Sequence, residues 1–559
     1  MTSGRTDEDQ QAIRSASRER HIPEADFQAA ARGEAPDIEP RGTTPASNQD
    51  TIVILDFGSQ YSRLIARRIR EQNVYCEILP HDTSWARLKG LHAKGFVLSG
   101  GPASVYQPEA PRCASEVFTG GVPVLAICYG MQLLADTMGG VVTASDHREY
   151  GPAKLHVCAE AAIFTDVPDS SRVWMSHGDR VETLPPGFYS IGATDNSPFA
   201  AVTNDRGAVG LQFHPEVMHT ACGSTIVANF VHRVCGCGKS WTSDAFVEDT
   251  MASLRAQIGG EQVLCALSGG VDSAVVATLI ARAVGDQLVC VFVDNGLLRR
   301  DEAKQLLQVF DRHIGARLVY VDATDRFLAH LRGIVDPEEK RRVIGEEFIR
   351  VFEVEARKLG DIKFLAQGTL YPDVIESTSH DTAHAAVKIK THHNVGGLPK
   401  DLQFSLVEPL RYLFKDEVRR VGLALALPES MIWRQPFPGP GLAVRVIGEI
   451  TQERLDVLRA ADHIVVSEIK KAGLYRDIWQ SFAVLTPLQS VGVMGDYRTY
   501  GYVVAIRAVS SEDAMTADWA RIPHEVLAGI SNRIVNEIAE VNRVVYDISS
   551  KPPATIEWE

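Results

Sequence analysis

Residues 263–277 set a tight glycine turn between two apolar runs, and few folds admit that arrangement. Val263-Leu264-Cys265-Ala266-Leu267 reads as a buried strand, and Ala274-Val275-Val276-Ala277 reads as the body of a helix. Ser268-Gly269-Gly270-Val271-Asp272-Ser273 stands between them. The glycines let the backbone approach a ligand and turn N–H groups toward an anion at a helix start. Ser268 and Ser273 add hydroxyl donors, so the predicted ligand is phosphate or pyrophosphate. No Gly-Lys-Ser/Thr follows, which excludes a Walker A loop. A plain turn would explain Gly-Gly, but neither the flanking serines nor Asp272.

The chain has 559 residues, too many for one core, and three folded domains are expected. Hydrophobic residues at 45% and charged residues at 23% suit a soluble globular protein. A formal net charge of −14 argues against a nucleic-acid surface, while leaving room for small anions held by local cations. No apolar run is long enough to span a membrane. No hydrophobic signal core opens the chain, so the expected location is cytoplasmic. The 9 cysteines are scattered through apolar contexts and suggest a reducing compartment. Cys222, Cys235 and Cys237 lack paired metal spacing and read as buried or incidental thiols.

Residues 1–49 are polar and without a sustained period, the pattern of a disordered tail. Short apolar strands then alternate with helical stretches from Thr51 onward, which predicts a doubly wound α/β domain over 50–238. A second such domain is expected over 239–434. Arg434-Gln435-Pro436-Phe437-Pro438-Gly439-Pro440-Gly441 can be neither helix nor central strand, so it is a linker or a rigid loop. Helical patterns around 453–470 and 525–542, with strand-like runs at 481–485, 502–508 and 543–547, predict a small α+β domain over 435–559. The fold class expected is therefore α/β, with two doubly wound domains and a small C-terminal α+β domain.

A second chemistry precedes the phosphate loop. Ala126-Ile127-Cys128-Tyr129-Gly130-Met131-Gln132 is an apolar strand running into a helix, a nucleophile elbow with cysteine in place of serine. The helix start favours the thiolate. In Gln212-Phe213-His214-Pro215-Glu216, alternation puts His214 and Glu216 on one side, so Glu216 can orient His214 as the base. Cys128, His214 and Glu216 form the predicted catalytic set. The N–H groups of Tyr129 and of Gly101, in Ser99-Gly100-Gly101-Pro102, are the predicted oxyanion donors. His177, in Met175-Ser176-His177-Gly178-Asp179, is a further candidate outside that set.

CYGMQ, SGGP and QFHPE, in this order, resemble the class I glutamine amidotransferases over about residues 51–235. The resemblance implies hydrolysis of glutamine to glutamate through a thioester on Cys128, with release of ammonia. It also places the motif around His177 near the glutamine pocket. SGGVDS resembles the pyrophosphate loop of the ATP pyrophosphatases, which adenylate an oxygen and release pyrophosphate. Ser268, Gly269, Gly270, Val271, Asp272, Ser273 and Ala274 would then bind ATP, with Mg²⁺ between the phosphates and Asp272 near the metal. Asp294-Asn295-Gly296 ends a strand that could face the nucleotide. Asp373 and Glu376 in GTLYPDVIES, with Lys390 in the polar KIKTHHN segment, read as parts of a lid that keeps water from an adenylate.

EEKRRVIG, GTLYPDVIES, KTHHNVGGLP, PFPGPGLAVR, VGVMGDYRTY and the closing KPPATIEWE resemble the glutamine-hydrolysing GMP synthase family from about Thr51 to Glu559. That resemblance implies amination of xanthosine 5′-monophosphate (XMP) at C2, with ATP converted to AMP and pyrophosphate. It assigns XMP contacts to Arg341, Gln480, Asp496, Lys551 and Glu557. It also implies that 50–238 is the glutaminase, 239–434 the ATP pyrophosphatase, and 435–559 a dimerisation and XMP-binding domain, hence a homodimer. Two other readings stand beside it: a glutamine-dependent synthetase that adenylates a carboxylate, and an inactive binding protein. The C-terminal motifs argue against the first, and retention of both catalytic motifs argues against the second.

Overall fold

A computed structural model describes residues 49–360, 362–378, 404–494, 496–511 and 516–559. All but the last residue of the expected tail lies outside them, as does Lys390 of the expected lid. Glu376 is described in its backbone only. Three sheets organise the rest.

The first sheet contains β1 (Thr51–Asp56), β2 (Tyr75–Pro80), β3 (Gly95–Leu98), β4 (Val124–Ile127), β5 (Val141–Val157), β6 (Ser170–Thr183), β7 (Phe188–Ala193), β8 (Ala201–Asn204) and β9 (Ala208–Leu211). Its order is β2-β1-β3-β4-β9-β8-β7-β5-β6. β2, β1, β3, β4 and β9 are parallel, as their continuous apolar runs require for strands covered on both faces. β8, β7, β5 and β6 extend the sheet antiparallel. β6 alternates between exposed and buried residues, and β8 is only four residues long, so a reading that followed continuous apolar runs passed over them.

The second sheet is entirely parallel, with order β12-β11-β10-β13-β14. Its strands are β10 (Val263–Leu267), β11 (Leu288–Asp294), β12 (Arg317–Asp322), β13 (Phe364–Ala366) and β14 (Ser405–Val407). The chain turns outward in both directions from β10, so the C-terminal ends of β10 and β13 flank a topological switch point, the usual ligand crevice of such sheets.

The third sheet is built on a long hairpin, β15 (Gln480–Met494) and β16 (Tyr497–Ser510), with β17 (Asp518–Trp519) and β18 (Val541–Asp547) beside β16. One hydrophobic core runs from Val289 and Val291 on β11 to Leu458, Val504 and Ile534, so the last sheet and its helices share a core with the second sheet. The proline-rich segment is a rigid loop. The buried Gln435 side chain donates to the carbonyls of Tyr475 (3.1 Å) and Ile478 (3.0 Å) and accepts from the Ser481 N–H (2.8 Å).

The helices that position the sites are α1 (Ser62–Arg70), α2 (Tyr129–Thr137), α3 (Val271–Val284), α4 (Pro337–Lys358), α5 (Tyr371–Thr378), α6 (Lys415–Ala424), α7 (Gln452–Lys471) and α8 (His524–Glu537). Thr242 and Thr451 cap their helices as expected for threonine at an N-cap, accepting from the N–H three residues on.

The first two sheets meet around Arg70, at the end of α1, whose side chain is 1% exposed. Its guanidinium donates to the carbonyl of Cys76 (2.7 Å) and that of Tyr412 (3.2 Å), and pairs with Glu417 at 3.5 Å. Tyr75 and Trp241 lie 4.3 and 4.6 Å from it, ring centroid to Cζ. Burial works against its charge, but Glu417 and neighbouring groups outweigh that and hold its pKa above the ordinary value. Glu417 also accepts from Trp241 Nε1 (2.6 Å) and from the Phe414 N–H (2.9 Å). Arg70→Met would strand this carboxylate, and a broken buried pair costs about 3–5 kcal/mol. Denaturant titration should show that loss, with partial recovery when Glu417→Gln is added; an unchanged unfolding midpoint for Arg70→Met contradicts this role.

Candidate functional site

Cys128 joins β4 to α2 with φ of 52°, a left-handed conformation for a residue with a side chain. Such strain is typical of a nucleophile elbow and turns the sulfur out of the sheet. The turn is possible because Gly130 lies hard against β3: a Cβ there would meet the Leu98 carbonyl oxygen at 2.7 Å. His214 follows β9, next to β4 in the sheet, which brings it to the same strand ends as Cys128.

His214 Nδ1 lies 2.7 Å from Glu216 Oε1, and Glu216 is wholly buried. The other ring nitrogen is left for the thiol. Burial opposes the imidazolium, but Glu216, and then contact with Cys128, raise the His214 pKa well above the histidine range. Tyr61 packs edge-on against His214, and Arg68 Nε donates to the Glu216 carbonyl at 3.0 Å. Thus α1 buttresses the base and its carboxylate. Tyr129 opens α2, so its N–H has no acceptor within the helix. Gly101 lines the same cavity as Cys128 and His214, a space of about 730 Å³. Sequence reasoning missed Gln132 and Asp179 on its wall. Gln132 had a readable signal, since four residues after Cys128 it returns to the same helix face.

The phosphate loop is bound to itself. The Ser268 and Ser273 hydroxyls lie 3.2 Å apart, and Ser273 Oγ also donates to the Gly270 carbonyl at 3.1 Å. Gly269 has φ of +75°, and a Cβ there would meet Leu306 at 2.9 Å, so only glycine fits. Arg434 donates to its carbonyl at 2.7 Å. Ser268, Asp272 and Ser273 line a cavity of about 440 Å³ at the switch point, together with Ala366, Gly368 and Asp373. A second cavity of about 330 Å³ adjoins the loop and adds Asn295, Lys415, Arg419 and Arg434. The three cations beside the loop extend its anion-binding character; they were unread because they come from segments far along the chain.

Asp272 Oδ2 pairs with Lys415 at 2.5 Å, while its Oδ1 is buried without a hydrogen-bond partner. An orphaned carboxylate oxygen beside a phosphate loop suits a hard cation that takes its remaining ligands from phosphate and water. Among the described residues no group of three metal-binding side chains is present, so a closed protein cage is not what this site offers. Cys235 and Cys237 are buried thiols, and burial pushes Cys237 up to about 11.

The closing segment docks on buried cations. Arg445 is fully buried and holds Glu557 through both carboxylate oxygens, at 2.9 and 3.0 Å. Gln480 donates to the same carboxylate at 2.6 Å. Arg507 donates to the carbonyls of Ser549, Thr555 and Ile556. Lys340 and Arg341 on α4 both contact Glu559. Arg341, Gln480 and Glu557 are therefore gathered around this segment, and Lys551 enters it through backbone pairing with Ala517. Asp496 is not brought to this set. It sits exposed at the tip of the hairpin whose base is Gln480, roughly 45 Å away at about 3.3 Å per residue.

Asp373 Oδ2 accepts from the Leu370 N–H at 2.9 Å, ahead of α5, and faces the switch-point cavity. Asp294 accepts from Gly296 N–H (3.0 Å) and Tyr320 hydroxyl (3.2 Å), whereas the next residue, Asn295, lines the second cavity.

Three family profiles match in succession: "Glutamine amidotransferase class-I" over residues 53–234, "NAD synthase" over 244–439 and "GMP synthase C terminal domain" over 467–558. Curated relatives match almost end to end. "GMP synthase [glutamine-hydrolyzing]" of Dehalococcoides mccartyi strain CBDB1 is 62% identical over 512 residues, covering 91% of this chain and 96% of the relative. The protein of that name from Thermomicrobium roseum is 61% identical over 510 residues, 91% and 97% of the two chains. The one from Heliobacterium modesticaldum is 57% identical over 516 residues, 92% and 100%. With a triad site, a phosphate loop at a switch point and relatives of this identity across nine-tenths of its length, the chain belongs to the glutamine-hydrolysing GMP synthase family.

Proposed function

We propose that this protein makes GMP from XMP, with glutamine as nitrogen donor and ATP as activator. The observation that carries this reading is the union in one chain of the Cys128–His214–Glu216 triad and the Ser268–Ser273 loop at a sheet switch point.

At the first site, His214 takes the Cys128 proton and Sγ attacks the glutamine amide carbon. The Gly101 and Tyr129 N–H groups receive the oxyanion. Ammonia leaves with the proton from His214, and water then cleaves the thioester to glutamate. At the second site the C2 oxygen of XMP attacks the α-phosphorus of ATP and pyrophosphate leaves. Ammonia adds at C2, and AMP departs in place of a poor oxide leaving group. Ser268 to Ala274 bind the β,γ-pyrophosphate. Asp272 would hold Mg²⁺, which supplies charge neutralisation between phosphates. Arg341 and Lys551 suit the XMP phosphate and Glu557 and Gln480 its polar edges, while Asp496 reaches such a site only from another chain.

The NAD synthase match over 244–439 supports a second reading, adenylation of a carboxylate. The match over 467–558 and the full-length relatives favour XMP.

A homodimer is part of the proposal. Val491 and Val493 on β15 and Tyr500, paired with Val491 on β16, share one face and are 51%, 73% and 69% exposed, an apolar patch that a second copy would cover. Light scattering should find a dimer, and a monomer in the Val493→Asp variant; a monomeric unsubstituted protein contradicts the proposal. Among the described residues no helix is long and apolar enough to cross a membrane. All nine cysteines are free, in keeping with a reducing cytoplasm.

Cys128→Ala should abolish GMP formation from glutamine but preserve formation from concentrated ammonia. Asp272→Ala should abolish both, by at least about a hundredfold. Loss of the ammonia-driven reaction in a folded Cys128→Ala variant would sink the two-site division.

A further inference from the structure

One buried cluster beside the glutamine cavity takes no part in the chemistry of either site. Glu149 on β5 and His177 on β6 are paired in register and are 8% and 5% exposed. His177 Nδ1 lies 3.0 Å from the Asp179 carbonyl oxygen, which can only accept, so Nδ1 carries a proton. His177 Nε2 lies 3.1 Å from Glu149 Oε2. Glu149 also accepts the hydroxyls of Thr194 (2.9 Å) and Ser197 (2.8 Å). The Thr194 hydroxyl in turn accepts from the Ser197 N–H (3.1 Å), which leaves its own proton for Glu149. Burial pushes the Glu149 carboxyl up, but His177, Ser197 and Thr194 together bring it below its usual range. The two ring nitrogens of His177 are thus held between the Asp179 carbonyl and the Glu149 carboxylate.

The sheet needs such a clamp at this point. Ala144 pairs with Asp179, but the next paired residue on β5 is Glu149, opposite His177, so the ladder is interrupted between them. On β6 the interruption falls at Gly178, and the His177 ring spans it to the Asp179 carbonyl. The Ser176 carbonyl oxygen is 3.6 Å from Cys128 Sγ. The Asp179 carbonyl also accepts from Gln132 Nε2 (3.0 Å), and its carboxylate from the Tyr106 hydroxyl (2.9 Å). Ser176, His177, Gly178 and Asp179 form the cavity wall across from Cys128. Arg148 and Tyr150 approach the same wall beside Gly178.

We infer that Glu149 and His177 are a positioning pair, which fixes the 176–179 wall and so sets the affinity for glutamine, with no part in proton transfer at Cys128. This rests on glutamine hydrolysis at Cys128.

The test uses the full chain. Glu149→Gln and His177→Ala should raise KM for glutamine at least about tenfold, the worth of one hydrogen bond to a charged group, and change kcat less than about threefold. Alkylation of Cys128 by iodoacetamide without glutamine, and GMP synthesis from ammonia, should stay near the unsubstituted rates. The double variant should be no worse than the poorer single one, as for a unit. An unchanged KM, a fall confined to kcat, or additive effects would overturn the pairing. If these variants misfold, shown by joint loss of alkylation and ammonia-driven synthesis, Thr194→Val and Ser197→Ala must raise KM; an unchanged KM there overturns it too. Failure of the unsubstituted protein to hydrolyse glutamine would instead refute the functional reading beneath it.

Discussion

Arg70 is buried where the first two sheets meet, and both catalytic centres are connected through elements that hold its charge. α1 begins beside Tyr61, which packs on His214, passes Arg68, which donates to the Glu216 carbonyl, and ends at Arg70. Arg70 pairs with Glu417 on α6, and α6 begins at Lys415, the partner of Asp272. A line of hydrogen bonds, ion pairs and two short helices thus runs from the Glu216 main chain to the phosphate loop. A buried guanidinium tolerates this position only because carbonyls, a carboxylate and aromatic faces surround it.

The same rule governs the rest of the molecule. Arg445, Arg507 and Lys340 are wholly buried, and each is matched by carboxylates or carbonyls. The buried cations tie 549–559 to the domain, with Ile556 as its one buried residue. This also places Glu557 and Gln480 together where a nucleotide's polar groups could meet them. At both candidate active sites, parallel strands end in a crevice, and a glycine-lined turn delivers the reactive group. The two turns differ in the group they present: a strained cysteine at one, and the start of a helix with serine hydroxyls at the other.

The features legible in the sequence were local. The strand over 288–294, the elbow at Cys128 and the loop at 268–273 depend on neighbouring residues, and the structure has all three as elements. The hairpin over 480–510 was read only in part, because Pro487, Gly492 and Gly495 interrupt its alternation. The helix expected to reach 542 stops at Glu537, where Ile538 turns extended to enter β18. Arg70, Lys340 and Arg445 were unreadable, since a charged residue normally signals a surface and their partners lie more than a hundred residues away. The gathering of Arg341, Gln480 and Glu557 followed from family likeness, while the separation of Asp496 needed the hairpin's length.

On the proposed function, one chain couples glutamine hydrolysis to adenylation of XMP. The product ratio, measured while the protein turns over glutamine, ATP and XMP together, bears on that coupling without any variant. Glutamate, AMP and GMP should form in equal amounts. GMP formed with ADP in place of AMP, or no GMP with XMP as acceptor, would contradict it.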